Sequence, residues 1–206
     1  ELLLKGREGE DAASVARAYT SLGWSVGSSC ESEWLKLSAS GLSRNLDAFL
    51  DQLTRTLTLA SYPDEEVELW RENALEDLLS RRSQPHFLSE ERLRAELFGG
   101  HPYGRGAADE AKINAVDSAR MRAFHASRMR PGGGHLVLAG DLDPESAVKA
   151  LERAMSSWRP GIAAPDAPAL PDYGRARTVL VDRPGSAQAS LVVAQTISAH
   201  PSDPDY

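Results

Sequence analysis

Histidine and carboxylate side chains are the residues of this chain that could hold a metal ion or move a proton. A zinc site built on one helix face needs two histidines about one turn apart. No two of the five histidines lie within four residues of each other, so the sequence contains no helical zinc pair. These five residues are His86, His101, His125, His135 and His200.

Signatures of other chemistry are also missing from the sequence. It has no G-x-S-x-G turn that would present a serine nucleophile. Pro131 to Gly134 is rich in glycine but precedes a predicted strand, whereas a phosphate-binding loop follows a strand and opens a helix. Cys30 is the single cysteine, so the chain cannot form an internal disulfide, and no nearby base would activate the thiol.

Composition indicates a globular chain. Its 206 residues are 41% hydrophobic, which is enough to bury a core, and the formal net charge of -7 includes no basic stripe for nucleic acid. No apolar run is long enough to cross a membrane, and no signal peptide is visible. Glu1 to Gly6 reads as the tail of a helix whose beginning is missing, so we expect the chain to be a fragment. The sequence therefore leaves both a cytoplasmic and an extracytoplasmic location open.

Hydrophobic periodicity predicts long helices interleaved with short strands. Trp24 to Ser29 and Glu33 to Ala39 alternate as a hairpin would, and the apolar segments 134–139, 178–182 and 187–195 also read as strands. Six helices are expected, one over 89–98 and five with Asp11, Ser43, Asp64, Asp117 and Asp143 at or near their starts. The acids of helix 64–82 share it with Arg71, Arg81 and Arg82, which is typical of a solvated face. This order favours an α+β fold, with a mixed or antiparallel sheet and helices packed on one face.

The order of these segments resembles the insulinase and pitrilysin type of zinc metallopeptidases, the inverzincins, and their non-catalytic relatives. The resemblance covers most of the chain, and no single motif would be specific by itself. It is carried by Leu2 to Gly6, Leu22-Gly23-Trp24, Arg71 to Asp77, Leu97 to Gly104, Phe124-His125, Leu136 to Asp143 and Arg183 to Gln188.

The resemblance implies where zinc ligands would stand. Active relatives carry H-x-x-E-H on a helix that runs into a segment like Leu2 to Gly6, and a third ligand on the acidic helix. Glu1 then occupies the position of the second histidine, or Leu2 does if the register slips by one, and Asp77 occupies the third position, with Glu76 beside it. Neither position keeps the expected residue, so we expect no catalytic residues and no bound metal in this chain.

The resemblance therefore implies a degenerate, non-catalytic homologue that pairs with an active half, or with a second copy, to enclose peptide substrates. Two alternatives remain: a fragment of an active zinc metalloendopeptidase, in which case zinc is the cofactor, and a structural assembly subunit. In active relatives an edge strand binds extended peptide through backbone hydrogen bonds. Its counterpart here would be Gly27, Ser28, Ser29 and Cys30, although an ordinary hairpin strand is the alternative.

The resemblance also implies a division of the chain. Residues 1–158 would form most of one insulinase-like α+β domain, 159–174 a proline-rich linker, and 175–206 the start of a second related domain. That second part is too short to fold alone. No nucleic acid and no membrane span are expected.

Overall fold

The protein is described here from a computed structural model that covers residues 1–31, 34–106, 108–131, 134–158, 168–169, 171 and 176–195. These residues form four strands, all before residue 41, and seven α-helices, so the fold is α+β as predicted. In chain order they are β1 (Gly6–Arg7), β2 (Glu10–Asp11), α1 (Ala12–Thr20), β3 (Ser25–Cys30), β4 (Leu35–Ser40), α2 (Leu46–Leu59), α3 (Asp64–Arg82), α4 (Pro85–Phe98), α5 (Glu110–Asn114), α6 (Ser118–Arg128) and α7 (Pro144–Met155).

Both sheets of the described residues are small and antiparallel. β1 pairs with β2, and β3 pairs with β4. In the β3–β4 hairpin Ser25 lies opposite Ser40 and Cys30 lies opposite Leu35, so the predicted hairpin is confirmed to within one or two residues. The segment that reads as a helix tail, Leu2–Leu4, forms one turn of 3-10 helix instead.

The core is built around the apolar face of α2. That helix buries leucines and one phenylalanine at helical spacing, and α1 and α7 cover it. Leu50 is fully buried, and Phe49 receives the stacked ring of Trp24 at 3.9 Å between centroids. The buried members are Leu3, Val15, Tyr19, Leu46, Phe49, Leu50, Leu53, Leu57, Ala147 and Ala150.

Three of the predicted helix caps are present. The carboxylates of Asp11, Asp117 and Asp143 each accept a hydrogen bond from a backbone N–H three residues later, at 2.7 to 2.9 Å. The prediction that Ser43 caps α2 is wrong. Ser43–Asn45 forms a 3-10 turn, and α2 then begins at Leu46 without a side-chain cap.

The predicted strands at 134–139, 178–182 and 187–195 are not strands in the described residues. A strand needs a hydrogen-bonding partner as well as apolar residues, and the described part of the chain supplies none for these segments. Their large apolar side chains remain exposed, Val137 at 86% and Leu180 at 89%. The predicted turn between the last two is present, since Ser186 N–H donates to the Arg183 carbonyl at 3.3 Å.

The chain divides into two compact units, one formed by residues 1–73 and 114–165 and the other by 74–113 and 166–206. The first contains the α1, α2 and α7 core. In the second, Arg183 donates to the carbonyl of Ser83 at 2.7 Å and Arg177 pairs with Glu96. The expected linker, residues 159–174, lies outside the described residues except for 168, 169 and 171.

None of the helices in the described part of the chain has the length and apolar composition that a membrane span requires.

Candidate functional site: the β3 edge and the zinc-ligand positions

The outer edge of β3 is the candidate surface for an extended peptide. β3 pairs with β4 along one side, and no other strand of the described residues pairs with it on the second side. In an antiparallel pair alternate residues turn their backbone N–H and C=O groups away from the partner. β3 therefore offers a row of backbone donors and acceptors to a further strand.

The sequence of β3 determines how open this edge is. Val26 and the facing strand's Leu37 rest on the α2 core and fix the hairpin in place. Beyond them the side chains are small. A Cβ added at Gly27 would meet nothing within 4 Å, and Cys30 carries a free, exposed thiol. Ser28 is half-buried and Ser29 exposed, so the four residues predicted for peptide binding do lie together on one accessible strand.

The two positions at which the resemblance implies zinc ligands do not carry a zinc site. Glu1 is exposed, whereas Leu2 is buried against Tyr62 and Val67 and has no atom that could bind a metal. The Asp77 carboxylate lies 2.7 Å from the guanidinium of Arg81, one turn further along α3. The adjacent Glu76 is exposed.

No group of three or more histidine, cysteine or acidic side chains in the described ranges is arranged to hold a metal ion. A catalytic zinc needs three protein ligands, and leucine or a carboxylate paired with an arginine is a poor substitute for imidazole. The residues present at these positions therefore do not fit the zinc ion of the active relatives, and no reaction step can be derived through them.

The histidines are spread over different environments. His86 is exposed and lies 3.3 Å from Glu90, and His135 is exposed as well. His101 belongs to the loop after α4, and His200 lies outside the described residues. Only His125, among the histidines that the structure describes, is buried.

His125 joins α6 to the end of α2 through both of its ring nitrogens. Nε2 lies 2.9 Å from the Leu57 carbonyl oxygen, which can only accept, so Nε2 carries the proton. Nδ1 then accepts from the Tyr62 hydroxyl at 2.8 Å. Burial lowers the pKa of His125 and raises the pKa of Tyr62 to about 12, so the imidazole and the phenol both remain neutral near pH 7.

The sequence analysis did not predict this connection. Leu57 lies in the last turn of α2, where backbone carbonyls have no partner in the helix, and His125 supplies the missing donor. Tyr62 has a positive backbone φ of 52°, which is unusual for a residue other than glycine.

Arg7 is a second buried polar residue that the sequence did not reveal. Its guanidinium donates to the Glu10 carboxylate at 2.6 Å and to the Gln52 side-chain oxygen at 2.7 Å. Arg55 also pairs with Glu10, and the Arg7 hydrogen bond is the main reason that the pKa of Glu10 is lowered. The four residues hold β1 and β2 on α2, which is a structural role and leaves no group free for catalysis.

Residues 115–206 match the family described as the peptidase M16 inactive domain. Curated relatives include uncharacterized zinc proteases of Mycobacterium bovis and Mycobacterium leprae, each 24% identical over 157 residues. The alignments cover 76% of this chain but only 36% and 35% of those proteins. The chain thus spans about a third of the length of the relatives it matches.

Solved structures have the same fold. A peptidase M16 inactive domain from Pseudomonas fluorescens aligns over 82% of this chain and 42% of its own, with a TM-score of 0.72 and 21% identity. The periplasmic protease PqqL from Escherichia coli aligns over 84% of this chain and 20% of its own, with a TM-score of 0.69 and 15% identity. At these identities the likeness concerns the fold.

The fold is that of an insulinase-type, peptidase-like α+β domain. Residues 115–206 are thus similar to the inactive domain of the peptidase M16 family, and the relatives and the solved structures agree with the insulinase-type resemblance of the sequence.

Proposed function

We propose that this chain is part of a non-catalytic peptidase homologue that pairs with an active half to enclose peptide substrates. The observation that carries the proposal is the identity of the residues at the zinc positions. Leu2 is a core residue, Glu1 is not an imidazole, and the Asp77 carboxylate is paired with Arg81. Such a half contributes a chamber wall and a binding surface, while zinc chemistry belongs to the partner.

Structure neighbours support the pairing in general terms. They include a full periplasmic protease PqqL from Escherichia coli and a separate structure of its first half. In the proposed arrangement residues 1–158 are most of one domain, 159–174 the linker and 175–206 the beginning of the next. The exposed apolar segments at 134–139 and 178–182 would then pair with strands supplied from outside the described residues.

We further propose that Gly27 to Cys30 binds a segment of substrate as an added strand. Backbone pairing is indifferent to sequence, which suits an enclosure that receives peptides of different composition. Small side chains at Gly27, Ser28 and Ser29 leave room for the side chains of the incoming strand. The contact would position peptide without cutting it.

Cys30 allows this binding surface to be tested directly, since it is the chain's single cysteine and is exposed at the end of β3. A thiol-directed photo-crosslinker is attached to Cys30 in the full-length protein, with any cysteine outside residues 1–206 replaced. An unfolded peptide should then be captured at this site. A matched variant carries Cys30→Ser with Ser127→Cys, which moves the label to the exposed face of α6. Equal capture by both labels would rule out the β3 edge.

The alternative is that the chain comes from an active zinc metalloendopeptidase. The mycobacterial relatives are described as zinc proteases, which favours this alternative. It requires ligands outside the described residues, because these do not assemble a zinc site. Zinc analysis of the full-length protein separates the two proposals.

A further inference from the structure

The β3–β4 hairpin has two unlike faces. Residues directly opposite each other in an antiparallel pair have their side chains on the same face, and successive residues alternate between faces, so the register assigns each side chain. One face carries Val26, Ser28, Cys30, Leu35, Leu37 and Ala39. The other face carries only small or polar residues, which are Ser25, Gly27, Ser29, Lys36, Ser38 and Ser40. The hairpin is therefore amphipathic across both strands.

The apolar face extends beyond the core that holds the hairpin in place. Val26 and Leu37 pack against the α2 core. Two residues nearer the turn, Leu35 is 44% exposed, and the Cys30 thiol opposite it is free and exposed. This end of the apolar face is thus accessible to a further apolar side chain.

A strand added to the free edge of β3 would meet the apolar face on one side. It would lie about 4.8 Å from β3 and therefore about 10 Å from β4. Ser28 and Cys30 are small, and they alone separate the added strand from the leucines of β4 on this face. A leucine or aromatic side chain of the added strand can reach over them toward Leu35 or Leu37.

The other side of the added strand would meet the polar face. Its neighbours there are Gly27 and Ser29, and Lys36 lies behind Ser29 on β4. A Cβ added at Gly27 would meet nothing within 4 Å, and Ser29 and Lys36 are exposed. An apolar side chain on this side would find no apolar partner on the hairpin and would stay in contact with water, whereas a polar side chain would lose little hydration.

We propose that the β3 edge selects extended peptide segments in which apolar and polar residues alternate. The inference rests on the proposed binding of peptide at Gly27 to Cys30 and adds the class of segment that is preferred. Backbone pairing alone does not rank peptides, whereas burial of apolar side chains against Leu35 and Leu37 does. The preferred segment turns its apolar residues toward these leucines and its polar residues toward Gly27 and Ser29.

Protection of the Cys30 thiol from alkylation measures the preference in the full-length protein, with any cysteine outside residues 1–206 replaced. Two capped eight-residue peptides each contain four leucines and four serines. In the first the two residue types alternate, so an extended strand carries all four leucines on one face. In the second the leucines stand in adjacent pairs, so each face carries two. The alternating peptide should protect Cys30 at a concentration about 2 to 30 times lower, the factor that two additional cross-strand pairs provide.

Three variants assign the preference to side chains of β4. Leu35→Ser removes the accessible apolar contact and should lower the preference by about 1.4- to 5-fold, the share of one cross-strand pair. Lys36→Leu makes the polar face apolar and should improve binding of the paired peptide, which also lowers the preference. Leu69→Ser, at a leucine of α3 that is 51% exposed, is the matched control and should keep the preference unchanged.

The outcomes separate this inference from the proposed function on which it rests. Equal protection by the two peptides would overturn the selection of alternating segments and leave peptide binding at β3 intact. Protection by neither peptide would remove the binding at β3 and the inference with it. The same preference in Leu35→Ser as in Leu69→Ser would also overturn the inference. If Leu35→Ser loses cooperative thermal unfolding, Lys36→Leu decides, and an unchanged preference in that variant overturns it.

Discussion

Removing the Tyr62 hydroxyl tests the buried connection between α2 and α6 most directly. The change Tyr62→Phe keeps the ring, its packing and its positive φ, and deletes only the donor to His125 Nδ1. Tyr62 is 4% exposed and His125 8%, so water has little access to the nitrogen that loses its partner. The imidazole is held in place by its bond to Leu57 and cannot turn to find another donor without breaking that bond.

The expected cost follows from this geometry. A typical buried hydrogen bond contributes about 1 kcal/mol net, but leaving one partner unsatisfied costs about 1 to 3 kcal/mol. The larger range applies, because Nδ1 remains buried and unpaired after the substitution. Such a loss in local stability corresponds to a rise of about 5- to 150-fold in the opening of the surrounding structure.

Native-state hydrogen exchange of the α6 amides is the suitable assay, since it reports local opening without requiring the whole protein to unfold in one step. Tyr62→Phe should accelerate exchange across α6 within the stated range. Ser127→Ala, on the exposed face of the same helix, should change the free energy of opening of α6 by less than about 0.5 kcal/mol. If Tyr62→Phe exchanges as slowly as Ser127→Ala, the hydrogen bond is not a determinant of the docking of α6.

Three further outcomes follow from the structure. Burial holds the pKa of His125 below its ordinary 6.5, so near that pH the unfolded chain binds more protons than the folded protein. The contribution of His125 to stability is therefore full above about pH 6.5 and decreases as the pH falls toward the folded-state pKa. In urea titrations His125→Gln should lose this part of the pH dependence, whereas His86→Gln should keep it. Asp143→Ala removes the side-chain cap of α7 and should cost about 1 kcal/mol in urea unfolding, with no loss if the cap is unimportant. Gly41→Ala places a methyl group into the indole of Trp24 and should cost about 1 to 3 kcal/mol with altered tryptophan fluorescence; a neutral effect would show that the ring can move.

Local patterns in the sequence predicted the parts of the fold that depend on nearby residues. The buried face of α2 and the caps at Asp11, Asp117 and Asp143 follow from helical spacing and from the preference of carboxylates for free N–H groups. Strand formation at 134–139 was not predictable in the same way. Its apolar residues are those of a strand, but pairing depends on a partner that the described residues do not supply.

The buried polar residues were beyond a single sequence for a related reason. Arg7 and His125 become recognisable only when residues about 45 and 63 positions away are brought against them. No hydrophobic periodicity in the sequence indicates contacts between residues so far apart. The β3 edge could be predicted because the hairpin is local, whereas its use by a peptide remains a prediction.

Zinc content and peptide cleavage, measured on the full-length protein alone and mixed with an active insulinase-type half, test the central claim most directly. The account predicts no stoichiometric zinc and no cleavage by the protein alone, with cleavage restored or enhanced on mixing. Stoichiometric zinc together with cleavage by the protein alone would contradict a non-catalytic role.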